Sequence, residues 1–388
     1  MKFSLYKLLF LSLFIFSCGK SKTNESVFPN EAFAACASQT IKNQFIVGWE
    51  DGTYTLESDE TENSFRENFI KNNLQKIRHI DRDYKIQLKN LEISPNTKIS
   101  VRSSDFQWQV DKINARSVWN QGFQGQDVIV GVVDGMVDVQ HNQLKNNILY
   151  SQQFNTEVNN PITNKHGTHV SGIIAADPNS GPVSGIAPRA KIAAGQFISN
   201  DGSGSIGEAI LAMTSVANQG ARIINLSWGG APCVSNLKSA LEQLSARGIL
   251  IVTAAGNEAT DSDFSPTYPA AFMIYNQLNI AATGLNDLIT SFSNRGYKTV
   301  QLAAPGQTIY STTPGNTIQA MDGTSMSAPV VSGAAALLMS AVPQSSAQQV
   351  KQALMNSVDI SGSRLQVTSG GRINVKNALV ELKRLVLK

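Results

Sequence analysis

Four short runs of almost entirely apolar residues divide the middle of the chain. They cover residues 127–133, 191–197, 223–227 and 249–254. Segments with helical periodicity lie between them, at residues 166–176, 206–219 and 234–247. Such runs are typical of strands buried on both faces, and strands that alternate with helices form parallel sheets with right-handed crossovers. The pattern therefore predicts an α/β fold built on a mostly parallel central sheet.

Polar residues follow three of these runs. Asp134 ends the first run, residues 225–230 (Asn-Leu-Ser-Trp-Gly-Gly) end the third, and residues 255–258 (Ala-Gly-Asn-Glu) follow the fourth. Because ligands of open α/β sheets bind beyond the C-terminal ends of the strands, we expect these three clusters to share one site. Taken alone, Asp134 is equally compatible with a cap or a turn.

Ser325 lies in the sequence Gly-Thr-Ser-Met-Ser-Ala-Pro, residues 323–329, beside an alanine-rich apolar run at residues 328–339. That run predicts a buried helix with Pro329 in its first turn, where the missing N–H is no loss. Ser325 would then lie at the helix N-terminus, where free N–H groups favour negative charge. A hydroxyl there could attack a carbonyl, although helix capping explains such a serine equally well.

Only four histidines are available as a general base. His79 belongs to the front of the chain, and His141 to a loop after the first apolar run. His166 and His169 lie in residues 164–172, Asn-Lys-His-Gly-Thr-His-Val-Ser-Gly. His166 is predicted to begin a helix and face a cleft, whereas His169, one turn later, is predicted to pack inside. A His-x-x-His pair can bind metal, but no glutamate stands between the two as in zincins, so no metal site is predicted.

Asp134, His166 and Ser325 follow one another in the order Asp, His, Ser, which is the order in subtilisin. Four motifs carry this order. They are Val-Val-Asp at 132–134, His-Gly-Thr-His-Val-Ser-Gly at 166–172, Ala-Gly-Asn at 255–257 and Gly-Thr-Ser-Met-Ser-Ala-Pro at 323–329. Together they resemble the subtilisin-like serine proteases (subtilases) over about residues 106–387. The resemblance implies a subtilisin-like three-layer fold with a mostly parallel central sheet, and a serine endopeptidase.

The resemblance also implies a role for each residue of the site. Ser325 would be the nucleophile, His166 would take its proton and pass it to the leaving amine, and Asp134 would hold the imidazole tautomer. Asn257 would donate its side-chain amide to the oxyanion, beside the N–H of Ser325. Peptide bonds would be hydrolysed through an acyl-enzyme.

A polypeptide substrate would lie between two backbone edges and add a strand through main-chain hydrogen bonds. One edge is Gly202, Ser203 and Gly204, and the facing edge is Ser227, Trp228 and Gly229. Glu258 and Thr267 would lie near the main specificity pocket. The family often has a small residue where Thr267 lies, so the hypothesis is a shallow pocket.

Two positions depart from the family pattern. After Asp134 the family has Ser or Thr and then Gly, whereas this chain has Gly135 and Met136. Met136 is the one feature that favours the alternative, a catalytically silent binding or scaffold lipoprotein on the same fold. The family's strong calcium site uses a carboxylate where this chain has Gln143, although Asn179 could serve a calcium loop. No cofactor is expected for catalysis, and structural calcium stays an open alternative.

Other function classes are disfavoured by charge and motif context. The formal net charge is +3 and no long basic run occurs, so nucleic acid is not expected as a partner. Residues 202–207 match Gly-x-Gly-x-x-Gly, but no acidic residue stands about twenty positions later, as a dinucleotide site needs. Ser325 lacks the Gly-x-Ser-x-Gly elbow of serine esterases.

The first 18 residues read as an export signal. Lys2 and Lys7 form a positive region, and residues 8–16 are an apolar run too short to span a bilayer. The following Ser17-Cys18 resembles a bacterial lipoprotein signal, in which Cys18 becomes the lipidated first residue. Cleavage nearby without a lipid is the alternative. The expectation is an exported, membrane-anchored protein, periplasmic or on the cell surface, with a flexible tether at residues 19–40.

Residues 41–103 are predicted to form a small α+β module and a linker, ahead of a peptidase domain at 104–388. The module contains a hairpin, an amphipathic helix and a strand, and it resembles the inhibitory propeptides of subtilases in position and size. The resemblance implies self-cleavage between Leu91 and Asp105, after which the protease could be released. Cys36 and Cys233 could bridge, but the sequence favours a free, buried Cys233. A monomer is expected.

Overall fold

A small antiparallel sheet begins the part of the chain that the computed structural model describes, residues 40–88, 105–156 and 161–387. Its strands are β1 (Thr40–Trp49), β2 (Tyr54–Ser58) and β3 (Ile77–Gln87), in the order β2-β1-β3. Between β2 and β3 lie α1 (Glu62–Ser64), a π-helical stretch (Phe65–Ile70) and α2 (Lys71–Asn73). This matches the hairpin, helix and strand that the sequence predicts, and residues 40–88 are called the front module below.

The central sheet has seven strands, and every pair of neighbours is parallel. Its strands are β4 (Ile129–Gly135), β5 (Ile148–Gln153), β6 (Lys191–Ile198), β8 (Ile223–Leu226), β9 (Leu250–Ala254), β10 (Gln277–Thr283) and β11 (Leu302–Pro305). They lie in the order β11-β10-β9-β8-β4-β6-β5. The short strand β7 (Ser203–Ser205) pairs with β3, and β12 (Ile309–Thr313) pairs with β13 (Thr317–Met321).

Helices cover both faces of this sheet. One face carries α3 (Trp108–Lys112), α4 (Arg116–Trp119), α5 (His166–Ala175), α8 (Thr324–Ala341), α9 (Ala347–Asn356) and α10 (Val375–Val386). The other face carries α6 (Ile206–Asn218) and α7 (Ser235–Ala246). In β4, Val130 and Val132 pack into the first layer and Val133 into the second, as the alternation of side chains along a strand requires. The predicted three-layer α/β fold is confirmed.

Burial in the core accounts for the apolar composition of α8. Among the described residues, α8 is the helix that is long and apolar enough to cross a membrane by length and composition, and 89% of that stretch is buried inside the protein. It packs against β8, β9, β10 and β11 in the first layer. Its hydrophobicity is therefore that of a core helix.

Two buried carboxylates join the front module to the second helical layer. Asp83 Oδ1 accepts a hydrogen bond from the backbone N–H of Gly207, in the first turn of α6, at 2.9 Å. Asp81 Oδ2 accepts one from the N–H of Asn236, in the first turn of α7, at 2.7 Å. Because helix N-termini present unpaired N–H groups, these contacts fix the position of β3 on the two helices.

Several sequence predictions fall outside the described residues. The export signal, Cys18, most of the tether, Cys36 and the linker at residues 90–104 are among them. Cys233 lies within the described part and is disulfide-bonded. The expectation that Cys233 is free and buried is therefore wrong, because this cysteine is only half-buried and is bonded as a half-cystine.

Candidate active site

The structure brings Asp134 and His166 together at the carboxyl end of β4. His166 Nδ1 lies 2.5 Å from Asp134 Oδ1, and neither side chain has any exposed surface. Asp134 Oδ1 also accepts the N–H of Gly135 at 2.6 Å. Because a carboxylate only accepts hydrogen bonds, Nδ1 must carry a proton. The neutral imidazole then presents Nε2 as an acceptor, which is the atom a general base needs.

The local sequence fixes His166 at the start of α5. Asn164 Oδ1 accepts the His166 N–H at 3.0 Å and so satisfies the first of the N–H groups that have no partner within the helix. Gly167 follows because a Cβ at this position would lie 2.2 Å from the carbonyl oxygen of Gly135 and 2.8 Å from that of Met136. The backbone after Asp134 therefore packs directly on the first turn of α5, and that contact sets the His–Asp geometry.

His169 lies one turn further along α5 and is fully buried. Its Nε2 lies 3.0 Å from the carbonyl oxygen of Gln319, so it is the donor there. Burial lowers the pKa of His169 to about 3, so the ring is neutral near physiological pH. The prediction that His169 packs inside is confirmed. Within the described ranges no group of three or more His, Cys, Asp or Glu side chains is arranged to hold a metal ion.

Ser325 is the second residue of α8 and is 6% exposed. Its carbonyl accepts a hydrogen bond from Ser227 Oγ at 2.9 Å, and Ser227 follows directly after β8, the neighbour of β4. Ser325 is thereby anchored beside the strand end that carries Asp134. The structure does not join His166 Nε2 to the Ser325 hydroxyl, since Nε2 is buried without a hydrogen-bond partner among the described residues.

Pro329 does not lie in the first turn of α8, as the sequence led us to expect. The helix begins at Thr324, one turn earlier than the apolar run suggested, so Pro329 lies within its second turn. A proline there removes the N–H that would bond to the carbonyl four residues before it, which is that of Ser325. The hydroxyl of Ser227 takes the place of that N–H. The helix therefore tolerates Pro329 because another segment satisfies the freed carbonyl.

Asn257 follows β9 and is held by one side of its amide. Its Oδ1 accepts hydrogen bonds from the N–H and the hydroxyl of Thr324, both at 2.9 Å. The Thr324 hydroxyl in turn accepts the N–H of Gly256 at 3.1 Å. This leaves Nδ2 of the exposed Asn257 side chain as a donor next to Gly323, since a Cβ on Gly323 would lie 3.5 Å from Nδ2.

Gly323 precedes α8 in a conformation that suits glycine alone. Its φ of 157° and ψ of 157° lie in a region that side chains exclude. After this turn the N–H of Thr324, the first residue of α8, donates to Asn257 Oδ1 at 2.9 Å. The Gly-Thr-Ser sequence thus supplies a turn, a side chain that orients Asn257, and a serine at the helix start.

The front module lies along one of the two predicted substrate edges. Strand β3 pairs antiparallel with β7, with Ile86 opposite Gly204 and Gln87 opposite Ser203. The N–H of Leu88 then donates to the carbonyl of Gly202 at 2.9 Å. The backbone positions predicted to bind substrate are therefore occupied by the end of the front module.

The facing edge, residues 227–229, is bonded to β4, the strand that carries Asp134. Trp228 is buried, its Nε1 donates to the carbonyl of Val133 at 3.0 Å, and its ring meets Phe197 edge-on with centroids 5.2 Å apart. Ser227 is bound to Ser325 as described, and Gly229 follows Trp228 without a side chain. These contacts hold residues 227–229 beside the carboxyl end of β4.

Glu258 and Thr267, the predicted pocket residues, lie on the same segment. Glu258 Oε2 accepts from Asn294 Nδ2 at 2.9 Å, and Asn294 also donates to the carbonyl of Ala255 at 3.0 Å. Thr267 Oγ1 donates to that same carbonyl at 3.4 Å. Asn294 was missed in the sequence, because nothing near it in the chain marks it as part of the site.

Gly135 and Met136, which differ from the family pattern after Asp134, leave one oxygen of the Asp134 carboxylate without a donor in the described part of the chain. Asp134 Oδ2 is buried and has no hydrogen-bond donor among the described residues. Gly135 has no hydroxyl to offer, and Met136 is buried, with its carbonyl accepting from Thr168 Oγ1 at 3.4 Å. Met136 therefore packs away from solvent beneath the start of α5, and the carboxylate is held by one oxygen.

Comparisons with known proteins agree on one family. The model of the subtilase family matches residues 125–379. Subtilisin DY of Bacillus licheniformis is 34% identical over 271 residues, which are 69% of this chain and 96% of that protein. Thermitase of Thermoactinomyces vulgaris is 35% identical over 278 residues, 71% of this chain and 96% of thermitase. Subtilisin-like protease 2 of Plasmodium falciparum is 34% identical over 70% of this chain, which spans only 22% of that longer protein.

Proposed function

Because the chain belongs to the subtilase family, we propose that it is a serine endopeptidase with Asp134, His166 and Ser325 as its catalytic triad. The observation that carries the proposal is the buried Asp134–His166 pair, with Nδ1 at 2.5 Å from the carboxylate and Nε2 free to accept a proton. A buried carboxylate beside the imidazole stabilises the imidazolium that forms during acyl transfer. A helix cap would not require such a pair.

The proposed mechanism follows from these positions. The Ser325 hydroxyl attacks the scissile carbonyl while His166 Nε2 takes its proton, which forms a tetrahedral intermediate. The developing oxyanion accepts hydrogen bonds from Asn257 Nδ2 and from the N–H of Ser325 at the start of α8. His166 then gives the proton to the leaving amine, and water hydrolyses the acyl-enzyme by the same steps in reverse. Each group in this scheme comes from the protein itself.

Polypeptides are the proposed substrates, bound between residues 202–204 and residues 227–229. An extended peptide that pairs with both edges uses main-chain hydrogen bonds, so binding depends little on sequence. Side-chain preference would come from the region around Glu258 and Thr267.

We further propose that the front module acts as an inhibitory propeptide that the enzyme removes. Its support is the pairing of β3 with Ser203–Ser205, which denies that edge to a substrate. Cleavage is proposed between Leu91 and Asp105. Export and a lipid on Cys18 are proposed from the sequence of the first 18 residues.

The triad is tested by replacing the nucleophile. We expect Ser325→Ala to abolish peptide hydrolysis and labelling by a serine-directed phosphonate, and to leave the full-length chain uncut. A loss of about a millionfold in kcat is the size known for the nucleophile of subtilisin itself. Ser340→Ala, at the far end of the same helix, is the matched control and should be labelled and processed as the parent is.

The outcome separates the enzyme from a silent scaffold. A parent protein that the phosphonate does not label would support the scaffold, and processing that persists in Ser325→Ala would refute self-cleavage. Mass measurement and N-terminal sequencing of membrane and soluble fractions would report lipidation, cleavage and release together.

A further inference from the structure

A loop at residues 177–183 is wrapped around one buried amide side chain. Gln143, 3% exposed, reaches into this loop from the segment after β4. Its Nε2 donates to the carbonyl of Asp177 at 3.0 Å and to the carbonyl of Val183 at 2.6 Å. A Cβ on Gly181 would lie 2.4 Å from the Gln143 side chain. The loop thus closes on this group and leaves no room for a larger one.

Two carbonyl oxygens that converge on one point need a positive partner there. A calcium ion would be such a partner, but it favours carboxylates, and Gln143 brings no charge. The amide orientation also excludes the ion, because only the NH₂ end can face two carbonyls, and that end repels a cation. The residues at this position therefore do not fit the calcium that the family resemblance implies.

The carboxylate of the loop is engaged elsewhere. Asp177 Oδ1 accepts from the N–H of Asn179 at 2.9 Å and from its Nδ2 at 3.0 Å. Asp177 Oδ2 accepts from the hydroxyl of Ser180 at 2.9 Å. The Asp177 carboxylate thus closes the turn at residues 177–180, and the Asn179 side-chain amide donates to it. In these contacts neither side chain binds Gln143, which is bonded to the Asp177 backbone carbonyl instead.

We propose that the Gln143 amide takes the place of a metal ion in this loop, so that the order of residues 177–183 does not depend on calcium. The N–H of Asp177 also donates to the backbone carbonyl of Gln143 at 2.8 Å, so the segment is fixed to Gln143 from both its backbone and its side chain. The inference concerns the fold of the loop and is independent of the proposed catalytic activity.

Hydrogen exchange of the loop tests this inference in the full-length Ser325→Ala protein, which cannot digest itself. Peptides covering residues 177–183 are followed by mass spectrometry in millimolar CaCl₂ and in millimolar EDTA. We expect equal protection in both. Gln143→Ala and the isosteric Gln143→Glu should each speed exchange of the Asp177 and Ser180 amides in EDTA by roughly ten- to hundredfold, as the loss of two buried hydrogen bonds implies.

Controls keep the readout local. Gln140→Ala, at an exposed position of the same segment, should leave the loop unchanged. Peptides from α8 report whether each variant is folded. Slower exchange of the loop on adding calcium to the parent would overturn the inference. So would Gln143→Glu with the parent's protection in EDTA, since the donor would then not be what holds the loop.

Discussion

The pH dependence of stability offers a quantitative test of how the front module is held. Asp81 lies on β3, is 6% exposed and accepts the N–H of Asn236 at 2.7 Å in the first turn of α7. Two effects oppose each other here. Burial favours the neutral carboxylic acid, whereas the N–H groups at the helix N-terminus favour the carboxylate. Burial is the larger effect and raises the pKa of Asp81 from 3.8 to about 6.

The sign of the effect follows from this shift. The pKa in the folded state is above that in the unfolded state, so Asp81 contributes stability that is fully present below about pH 4 and is lost as the pH rises through about 6. A shift of about two units corresponds to ~3 kcal/mol. Burial raises the pKa of Asp83 in the same direction. At neutral pH the chain therefore keeps a costly carboxylate at this interface.

Urea unfolding of the Ser325→Ala protein between pH 4 and pH 8, with and without Asp81→Asn, measures the effect. We expect the free energy of unfolding of the Asn variant to gain on that of the parent by up to ~3 kcal/mol as the pH rises. Asp83 is present in both proteins, so its contribution to the pH dependence cancels in the difference between their free energies of unfolding. Glu67→Gln, at an exposed position on the module helix, should give no such trend. If the parent gains on the Asn variant with rising pH, the helix N-terminus outweighs burial and the reasoning is wrong.

Three further changes probe the site itself. Ser227→Ala should leave the carbonyl of Ser325 unsatisfied and lower the free energy of unfolding by about 1–3 kcal/mol, measured by urea titration. Gly135→Ser can place a hydroxyl near the unpaired Asp134 Oδ2, since a Cβ on Gly135 would meet no atom closer than 3.5 Å. We expect kcat/KM to rise about fivefold. A fall in kcat/KM would show that Oδ2 is already satisfied. Asn257→Ala should lower kcat by about 10²–10³ with little change in KM, the size known for such a donor in subtilisin, and an unchanged kcat would remove Asn257 from the oxyanion site.

The strands that the sequence predicted are those whose side chains are buried on both faces of the sheet. β4, β6, β8 and β9 are buried on both faces, so their apolar runs could be read directly. β5 was missed because it is the edge strand, where apolar Leu149 is exposed and three polar residues follow Tyr150, so no continuous apolar run marks it. β10 was missed because buried polar residues interrupt it. Asn279, for example, is buried, and its side-chain amide donates to the carbonyl of Thr299 at 2.9 Å. That hydrogen bond offsets the cost of burying the amide.

The candidate site divides in a similar way. The order Asp134, His166, Ser325 and the Asn257 motif predict the proposed reacting groups, because chemistry limits which residue types can serve. The supports could not be predicted, since each depends on a contact between distant segments. Ser227 and Ser325 are 98 residues apart, and Thr324 and Asn257 are 67 apart. No local pattern in the sequence records such a pairing.

One of these supports joins the proposed substrate edge to Ser325. The carbonyl of Ser325 is free because Pro329 lacks an N–H, and Ser227 fills the gap. The Ser227 hydroxyl is itself held by Asn225 Nδ2 at 2.8 Å, and Asn225 Oδ1 accepts from Ser332, one turn beyond Pro329, at 2.9 Å. Helix α8 is therefore bonded at two levels to the end of β8. Residues 227–229 form the proposed substrate edge, so a peptide that binds there would pair with a backbone bonded to Ser325, the proposed nucleophile. The proline in the second turn therefore removes the helical donor to the Ser325 carbonyl, and the Ser227 hydroxyl is the donor that replaces it.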